Sequence, residues 1–183
     1  MNGSQRSSKI PVIGVAGWKN SGKTTLVVRL IAEFTGRGLN VGTVKHSHHT
    51  VEIDDDETDS ARHRRAGARQ AALVSPKRWA LITEIADQPE PTLDDVIAGF
   101  GGCDLIIVEG YKSAEVPKIE VRRLASETRV ALADSDPLVI AIAADHPVEG
   151  ARVPVFGLDD VAGIADHIAY VLGPLSVSSE PHV

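Results

Sequence analysis

The 183-residue sequence has little of three things: cysteine, long apolar runs and positive charge. The single cysteine, Cys103, cannot form an internal disulfide, and this is typical of proteins of the reducing cytoplasm. No apolar stretch approaches the roughly 18 residues of a membrane-spanning helix, so we expect no membrane association. The net charge of −6 argues against a general nucleic-acid-binding protein, although a local basic patch would escape this sum.

The length and the composition fit one globular domain, with 43% hydrophobic and 24% charged residues. Residues 1–8 are polar and lack the apolar segment of a signal peptide. Residues 174–183 are rich in Ser and Pro and have little to bury. We therefore expect flexible tails at 1–8 and 174–183 and a single domain over 9–173.

Short apolar runs alternate with helical patterns along the chain. The predicted strands are 10–16, 40–45, 71–75, 78–85, 104–109, 118–123, 138–144 and 153–156, and the predicted helices are 24–34, 58–68, 92–100 and 159–172. This alternation predicts a mostly parallel sheet covered on both faces. The strands 71–75 and 78–85 are separated only by a break at Pro76, which predicts a hairpin-like excursion.

Residues 17–24 form a complete Gly-x-x-x-x-Gly-Lys-[Ser/Thr] pattern, the Walker A phosphate-binding loop, between a predicted strand and a predicted helix. Its glycines allow backbone N–H groups to converge on phosphate oxygens at the start of the helix. Lys23 is expected to reach the β- and γ-phosphates, and the Thr24 hydroxyl to bind Mg²⁺. The phosphate-binding candidates are Gly17, Asn20, Ser21, Gly22, Lys23 and Thr24. The pattern predicts an α/β P-loop NTPase fold, a three-layer sandwich with a mostly parallel central sheet.

A second acidic element of the nucleotide site is expected at the end of another buried strand. The run 104–109 carries an acid at each end, Asp104 and Glu109. At about 3.3 Å per residue, these two lie roughly 16 Å apart. Ligands of parallel sheets bind at the carboxyl ends of the strands, so Glu109 is the predicted acid at the Mg²⁺ and Asp104 is assigned a structural role.

The loop after the second strand is rich in acids and histidines. Asp54 is the best candidate among Asp54, Asp55 and Asp56 to join the Mg²⁺ ligands or to orient an attacking water, because the segment 51–53 can anchor the loop. A solvated acidic loop is the alternative. The histidines His46, His48 and His49 suggest a metal, but Cys103 is too distant to complete a Cys-containing site. A His-only site, a polar surface loop and a contact with an anionic substrate all remain open.

A basic cluster follows the acidic loop. It comprises Arg62, His63, Arg64 and Arg65, and together with Lys112, Lys118, Arg122 and Arg123 it could line a second anion site. The alternative is an exposed helix face whose charges balance nearby acids.

The nucleobase is expected beside Asp145, which follows the apolar strand 138–144. A carboxylate there can accept hydrogen bonds from the N1–H and 2-amino groups of guanine, a pair of donors that adenine lacks. The Asn-Lys-x-Asp pattern of many GTPases is incomplete, because Ala143 stands in it and no Lys is present. The spacing therefore favours GTP over ATP only weakly.

Taken together, these segments resemble the MobB family, the molybdopterin-guanine dinucleotide biosynthesis adaptor proteins. The matching segments are 17–25, 44–49 (Val-Lys-His-Ser-His-His), Asp54 leading to 59–68, 104–112 (ending Val-Glu-Gly-Tyr-Lys) and 117–121. The resemblance spans roughly residues 9–172 and rests on the order of these segments, since a P-loop alone is generic.

The resemblance implies a cytoplasmic protein that binds GTP and Mg²⁺, has weak GTPase activity and is usually a homodimer. It implies an accessory role beside the guanylyltransferase that joins GMP to molybdopterin. The nucleotide residues of the family map onto Gly22, Lys23, Thr24 and Thr25, with Glu109 at the metal. The catalytic candidates are thus Lys23, Asp54 and Glu109, and the metal-ligand candidates are Thr24, Glu109 and Asp54.

Two other functions fit the same scaffold. A small-molecule kinase would use the basic residues to hold its acceptor, but such enzymes usually add a lid, and no long Arg-rich insertion is present. A metal-insertion GTPase is suggested by the histidines, but its usual Cys-Pro-His type of site is absent around Cys103.

Overall fold

The computed structural model describes residues 10–47, 58–126 and 130–175. The chain divides into two compact units, one formed by residues up to 46 and from 96 onward, the other by residues 47–95. The tail predicted at 1–8, and all but the first two residues of the tail predicted at 174–183, lie outside the described residues. The single domain over 9–173 stays a prediction.

The first unit is built on a parallel sheet of six strands. These are β1 (Val12–Ala16), β2 (Val41–Lys45), β5 (Leu105–Glu109), β6 (Lys118–Arg122), β7 (Val139–Ala144) and β8 (Val155–Gly157), in the order β2-β5-β1-β6-β7-β8. All five pairings are parallel. In this register Glu109, the last residue of β5, is opposite Val15 on one side and Lys45 on the other. The carboxyl ends of three strands therefore meet at the acid that the sequence singled out.

Two long helices pack on this sheet. The helices α1 (Lys23–Gly36) and α4 (Val161–Leu172) contribute residues such as Leu30, Phe34 and Ile168, all fully buried, to one continuous core with the strands. Their apolar residues recur at helical spacing, so one stripe of each helix faces the sheet. The predicted mostly parallel α/β sheet flanked by helices is confirmed. No helix of the described residues is long and apolar enough to cross a membrane.

Strand β6 carries charged residues that are buried instead of facing solvent. Lys118 is 2% exposed, and its Nζ donates to Asp136 at 2.8 Å. Glu120 is 1% exposed and accepts from Arg122 at 2.8 Å and from the backbone N–H groups of residues 132–133 at 2.9 Å each. A buried charge is tolerated when it is paired and hydrogen-bonded. These contacts fasten the segment that follows β6 to the sheet.

The second unit contains the helix α2 (Asp59–Arg65) and the two strands β3 (Gln70–Val74) and β4 (Trp79–Thr83). The side chain of Thr58 caps α2 by accepting from the N–H of Ala61 at 3.3 Å. The strands β3 and β4 pair antiparallel, which confirms the predicted hairpin.

The last helix in this part of the chain, α3 (Leu93–Ile97), spans five residues where the sequence predicts 92–100. Its N-terminus is as predicted, because Thr92 Oγ1 accepts from the N–H of Asp95 at 3.2 Å. The early end is explained by the glycines at 99, 101 and 102, which favour helix termination over continuation.

A candidate nucleotide-binding site

The loop 17–22 between β1 and α1 has a backbone that only glycine permits at its two ends. At Gly17 an added β-carbon would lie 2.6 Å from the carbonyl oxygen of Val121, so the loop approaches β6 closely. Gly22 has φ of +92°, a left-handed conformation that side chains disfavour. Asn20, with φ of +63°, is one of the few non-glycine residues that tolerate this region. The loop therefore has the tight shape of a phosphate cradle.

The hydrogen-bond donors of this phosphate cradle are available to a ligand. Helix α1 begins directly after Gly22 and has no side-chain cap, so its first N–H groups are available to an anion. The buried hydroxyl of Ser21 has no hydrogen-bond partner among the described residues. A cavity of about 290 Å³ opens in front of these groups and is lined by Asn20, Gly22, Lys23, Thr24 and Thr25. The predicted phosphate-binding residues other than Gly17 and Ser21 thus line one cavity.

The predicted metal-binding residues Thr24 and Glu109 are in contact. The Thr24 hydroxyl donates to Glu109 Oε1 at 2.7 Å, and Lys45 Nζ lies 3.4 Å from the same oxygen. Glu109 is 8% exposed and so presents one edge of its carboxylate to the loop. A hydroxyl and a carboxylate oxygen are the donors that Mg²⁺ prefers, so this pair fits a magnesium ion at the phosphate cradle.

Lys23 lies in a strongly cationic part of the site. Its Nζ donates to the carbonyl oxygen of Trp18 at 2.8 Å. Burial lowers the pKa of the Lys23 ammonium below its ordinary value, Glu109 opposes this, and the neighbouring charges of Lys112 and Lys45 lower the pKa further. Lys112 in turn lies over the Trp18 ring, with Nζ 3.5 Å from the ring centroid. Three lysines therefore converge where phosphate charge is expected.

Asp145 occupies the predicted place at the end of β7. Its Oδ1 accepts from the N–H of Leu124 at 3.0 Å and lies 2.8 Å from Nδ1 of His146. The hydrogen bond with His146 and that from Leu124 lower the pKa of Asp145, so the carboxylate is ionised. Asp145 lines an open cavity of about 450 Å³ together with Arg123, Ala144, Gly157, Leu158, Asp159 and Asp160. Asp145 therefore lies where the sequence predicts that the base is recognised.

Of two further acids discussed from the sequence, the structure describes Asp104 but not Asp54. Asp54 lies outside the described residues, as do Asp55 and Asp56, so its role at the metal stays a prediction. Asp104 lies at the amino end of β5, where its Oδ2 accepts from the N–H of Asn40 at 2.8 Å. That bond fits the structural role that the sequence assigned to it.

The histidine cluster is only partly described. His48 and His49 lie outside the described residues, and among the described ones no group of three His, Cys, Asp or Glu could hold a metal. The His46 ring stacks on Tyr111, with centroids 4.2 Å apart. This contact packs the His46 ring at the end of β2, and the role of the histidine cluster stays a prediction.

Most of the basic residues of the predicted second anion site pair with acids of their own unit. In the first unit, Lys118 pairs with the partly exposed Asp136 and Arg122 with the buried Glu120. In the second unit, Arg62 pairs with Asp59 and Arg64 with Glu84. These cations neutralise nearby acids, whereas Lys112 and Arg123 of the first unit lie beside the phosphate loop.

Sequence reasoning assigned no role to Lys45, although it lies beside Glu109. Its position is visible only when β2 and β5 are paired in register, since both strands end at the same edge of the sheet. A basic residue at the end of a predicted strand next to the acidic strand is the signal that would have found it.

Comparison with known proteins agrees with this geometry. The family model of MobB, described as molybdopterin guanine dinucleotide synthesis protein B, matches residues 12–145, which include the phosphate loop, Glu109 and Asp145. The chain belongs to the MobB family. The family match therefore covers five of the six strands of the first unit's sheet and the phosphate-binding part of the candidate site.

Individual relatives of this MobB-family protein can be aligned with it over nearly their full length. The molybdopterin-guanine dinucleotide biosynthesis adapter protein of Escherichia coli is 38% identical over 161 residues, 87% of this chain and 91% of the relative. The adapter protein of Haemophilus influenzae is 37% identical over 165 residues, 88% and 89% of the two chains. The crystal structure of a MobB homologue from Bacillus stearothermophilus superposes with a TM-score of 0.67 at 30% identity, covering 87% of this chain and 98% of the other.

Proposed function

We propose that this MobB-family protein is a GTP-binding, weakly GTP-hydrolysing adaptor that acts in the cytoplasm in molybdopterin guanine dinucleotide biosynthesis. The contact of Thr24 with Glu109 at the start of α1 is the observation that carries this proposal. It brings the hydroxyl of Thr24, the last residue of the phosphate-binding pattern, to the carboxylate of Glu109 at the end of β5. A hydroxyl and a carboxylate oxygen are the ligands that suit a nucleotide-bound Mg²⁺.

The residues of the site have distinct roles in this proposal. Backbone N–H groups and Lys23 bind the phosphates, while Thr24 and Glu109 hold Mg²⁺, which would neutralise phosphate charge. Lys45 and Lys112 add positive charge beside Lys23. Asp145 recognises the guanine edge, because a carboxylate can accept from the N1–H and 2-amino donors of that base. Asp54 is retained as the residue that orients the attacking water.

Slow hydrolysis is part of this proposal. The described site supplies lysines, backbone N–H groups, the Thr24 hydroxyl and the Glu109 carboxylate, while Asp54 lies outside the described residues. We propose that binding and delivery matter more than turnover. The partners in this proposal are the molybdopterin guanylyltransferase of the same pathway and molybdopterin itself, together with a second copy of this chain.

The hairpin of the second unit supports the homodimer. On β3 and β4, Leu73, Val74 and Trp79 are 62%, 75% and 70% exposed. A two-stranded hairpin is marginally stable alone, and its free edges and apolar side chains favour pairing with another strand. We propose that the hairpin of a second copy supplies that strand.

The experiment that tests the nucleotide assignment is thermal unfolding with GTP or ATP, each with Mg²⁺, for wild type and Lys23→Ala. A ligand at about 100 times its Kd adds roughly 2.7 kcal/mol to the native state, which is readily measured. We expect stabilisation by GTP that is lost in Lys23→Ala. An equal or larger effect of ATP would overturn the GTP assignment and favour the kinase function.

A further inference from the structure

The side chain of Arg123, the residue directly after β6, lies against the phosphate loop. A β-carbon added to Gly22 would lie 2.9 Å from Arg123 Nε and 3.1 Å from its Cζ. Gly22 is therefore needed both for its backbone conformation and for the space that the guanidinium fills. The neighbouring Arg122 differs, because Glu120 holds it at 2.8 Å.

The charge of Arg123 has no acidic partner in the described part of the chain. No acid within the described ranges pairs with its guanidinium, whereas Arg29, Arg37 and Arg122 each have one. Its Nε is buried against the phosphate loop and has no hydrogen-bond partner among the described residues. The planar cation is therefore not tied to an acid and can contact a ligand in the cavity that Arg123 lines.

Arg123 also reaches the cavity in which the base is expected. It lines the cavity of about 450 Å³ that is also lined by Asp145, by Gly157 at the end of β8 and by Leu158 after it. The cavity thus offers a carboxylate for the edge of a ring and a planar cation for its face. The lysine that commonly precedes the base-reading aspartate is absent, and Arg123 brings a cation to the same sheet end from the neighbouring strand.

We propose that Arg123 stacks its guanidinium on the purine ring of the bound nucleotide and so sets the affinity for the base. This inference rests on the proposed nucleotide function. Arginine is suited to it, because its planar, weakly hydrated head packs on ring faces. Stacking accepts any purine, so Arg123 determines how tightly a base is held, while Asp145 determines that the base is guanine.

The test compares a ligand that has a base with one that has none. Equilibrium Kd values are measured by calorimetry for GTP and for inorganic triphosphate, each with Mg²⁺, on wild type, Arg123→Ala, Arg123→Lys and Arg152→Ala. Arg152 is exposed and lies before β8, so its variant controls for the loss of one positive charge. We expect Arg123→Ala to weaken GTP roughly tenfold and to leave inorganic triphosphate within about twofold. Arg123→Lys should bind GTP more weakly than wild type, because it keeps the charge but loses the planar head.

Other results would overturn the inference. Equal weakening of GTP and inorganic triphosphate by Arg123→Ala would make Arg123 a phosphate ligand or a support of the loop. Full affinity of Arg123→Ala or Arg123→Lys for GTP would exclude stacking. A wild type that does not bind GTP would instead refute the proposed function, so the two failures are distinguishable.

Discussion

Lys23 is subject to opposing requirements at the scale of the single residue. It must stay charged to hold phosphate, yet burial lowers its pKa below the ordinary value of 10.5, with the charges of Lys45 and Lys112 acting in the same direction. In the nucleotide-free protein, keeping this ammonium protonated at neutral pH therefore lowers the free energy of unfolding. As pH rises from the folded-state pKa toward 10.5, the unfolded chain holds the proton more tightly, so the folded state gains stability.

This pH dependence of wild-type stability leads to a prediction for Lys23→Met. At pH 7 and without nucleotide, the variant should be at least as stable as wild type in urea unfolding, although it loses nucleotide binding. Its advantage should shrink as pH rises toward 10.5, because the wild-type lysine loses its proton in the folded state before it does so in the unfolded chain. Lys19→Met, an exposed lysine of the same loop, is the control and should show no such trend. An advantage of Lys23→Met that grows with pH, or a deficit that shrinks with pH, would contradict the sign.

The individual residues of the site differ in how far the sequence could predict them. Thr24 and Glu109 were predictable, because one belongs to a fixed motif and the other is a strand-end acid whose distance along the strand can be calculated. Arg123 and Lys45 were not, because their roles depend on which strands are neighbours in the sheet. Lys118 was predicted as a possible anion ligand, but its Nζ donates to Asp136 Oδ2 at 2.8 Å. The sequence alone does not show that these two residues are in contact.

At the scale of the element, β6 shows why charge in a strand does not imply exposure. Glu120 is 1% exposed and accepts from Arg122 and from two backbone N–H groups of the following segment. The strand therefore does two things at once: its apolar face packs in the core, and its charged face holds the chain that leads to β7. The sequence predicted this strand correctly, but it placed Lys118 and Arg122 in a possible anion site and gave no sign of their buried or partly buried acidic partners.

Removing the Glu120 carboxylate should lower the free energy of unfolding substantially. We expect Glu120→Ala to lower the free energy of unfolding by about 3–5 kcal/mol, because it leaves the Arg122 charge and two backbone donors buried without a partner. The matched control is Glu33→Ala, which breaks a surface i,i+4 pair with Arg37 and should cost about 0.5 kcal/mol or less. Denaturant unfolding of both variants measures the difference. Equal small losses would show that Glu120 does not hold this segment.

At the scale of the whole molecule, the two proposed functions, nucleotide binding and self-association, are assigned to different compact units. The phosphate loop, Glu109, Asp145 and the cavities beside them all belong to the first unit. The second unit carries instead a hairpin with apolar side chains on its surface. Of the predicted site residues, Asp54 falls within the range of the second unit. We therefore expect substitutions on the hairpin to change the proposed self-association and to leave the phosphate loop, Glu109 and Asp145 unaltered.

The homodimer prediction follows from this division. We expect sedimentation at micromolar concentration to give a dimer for wild type and a monomer for Val74→Lys combined with Trp79→Glu, because charges on strand edges oppose strand pairing. Tyr170→Ser is the control: it removes an aromatic side chain that is 84% exposed on α4, and it should leave the dimer intact. The double variant should still be stabilised by GTP and Mg²⁺, since the described site lies in the other unit. A dimer that survives the double variant but dissociates in Tyr170→Ser would move the interface to α4, and a monomeric wild type would refute self-association altogether.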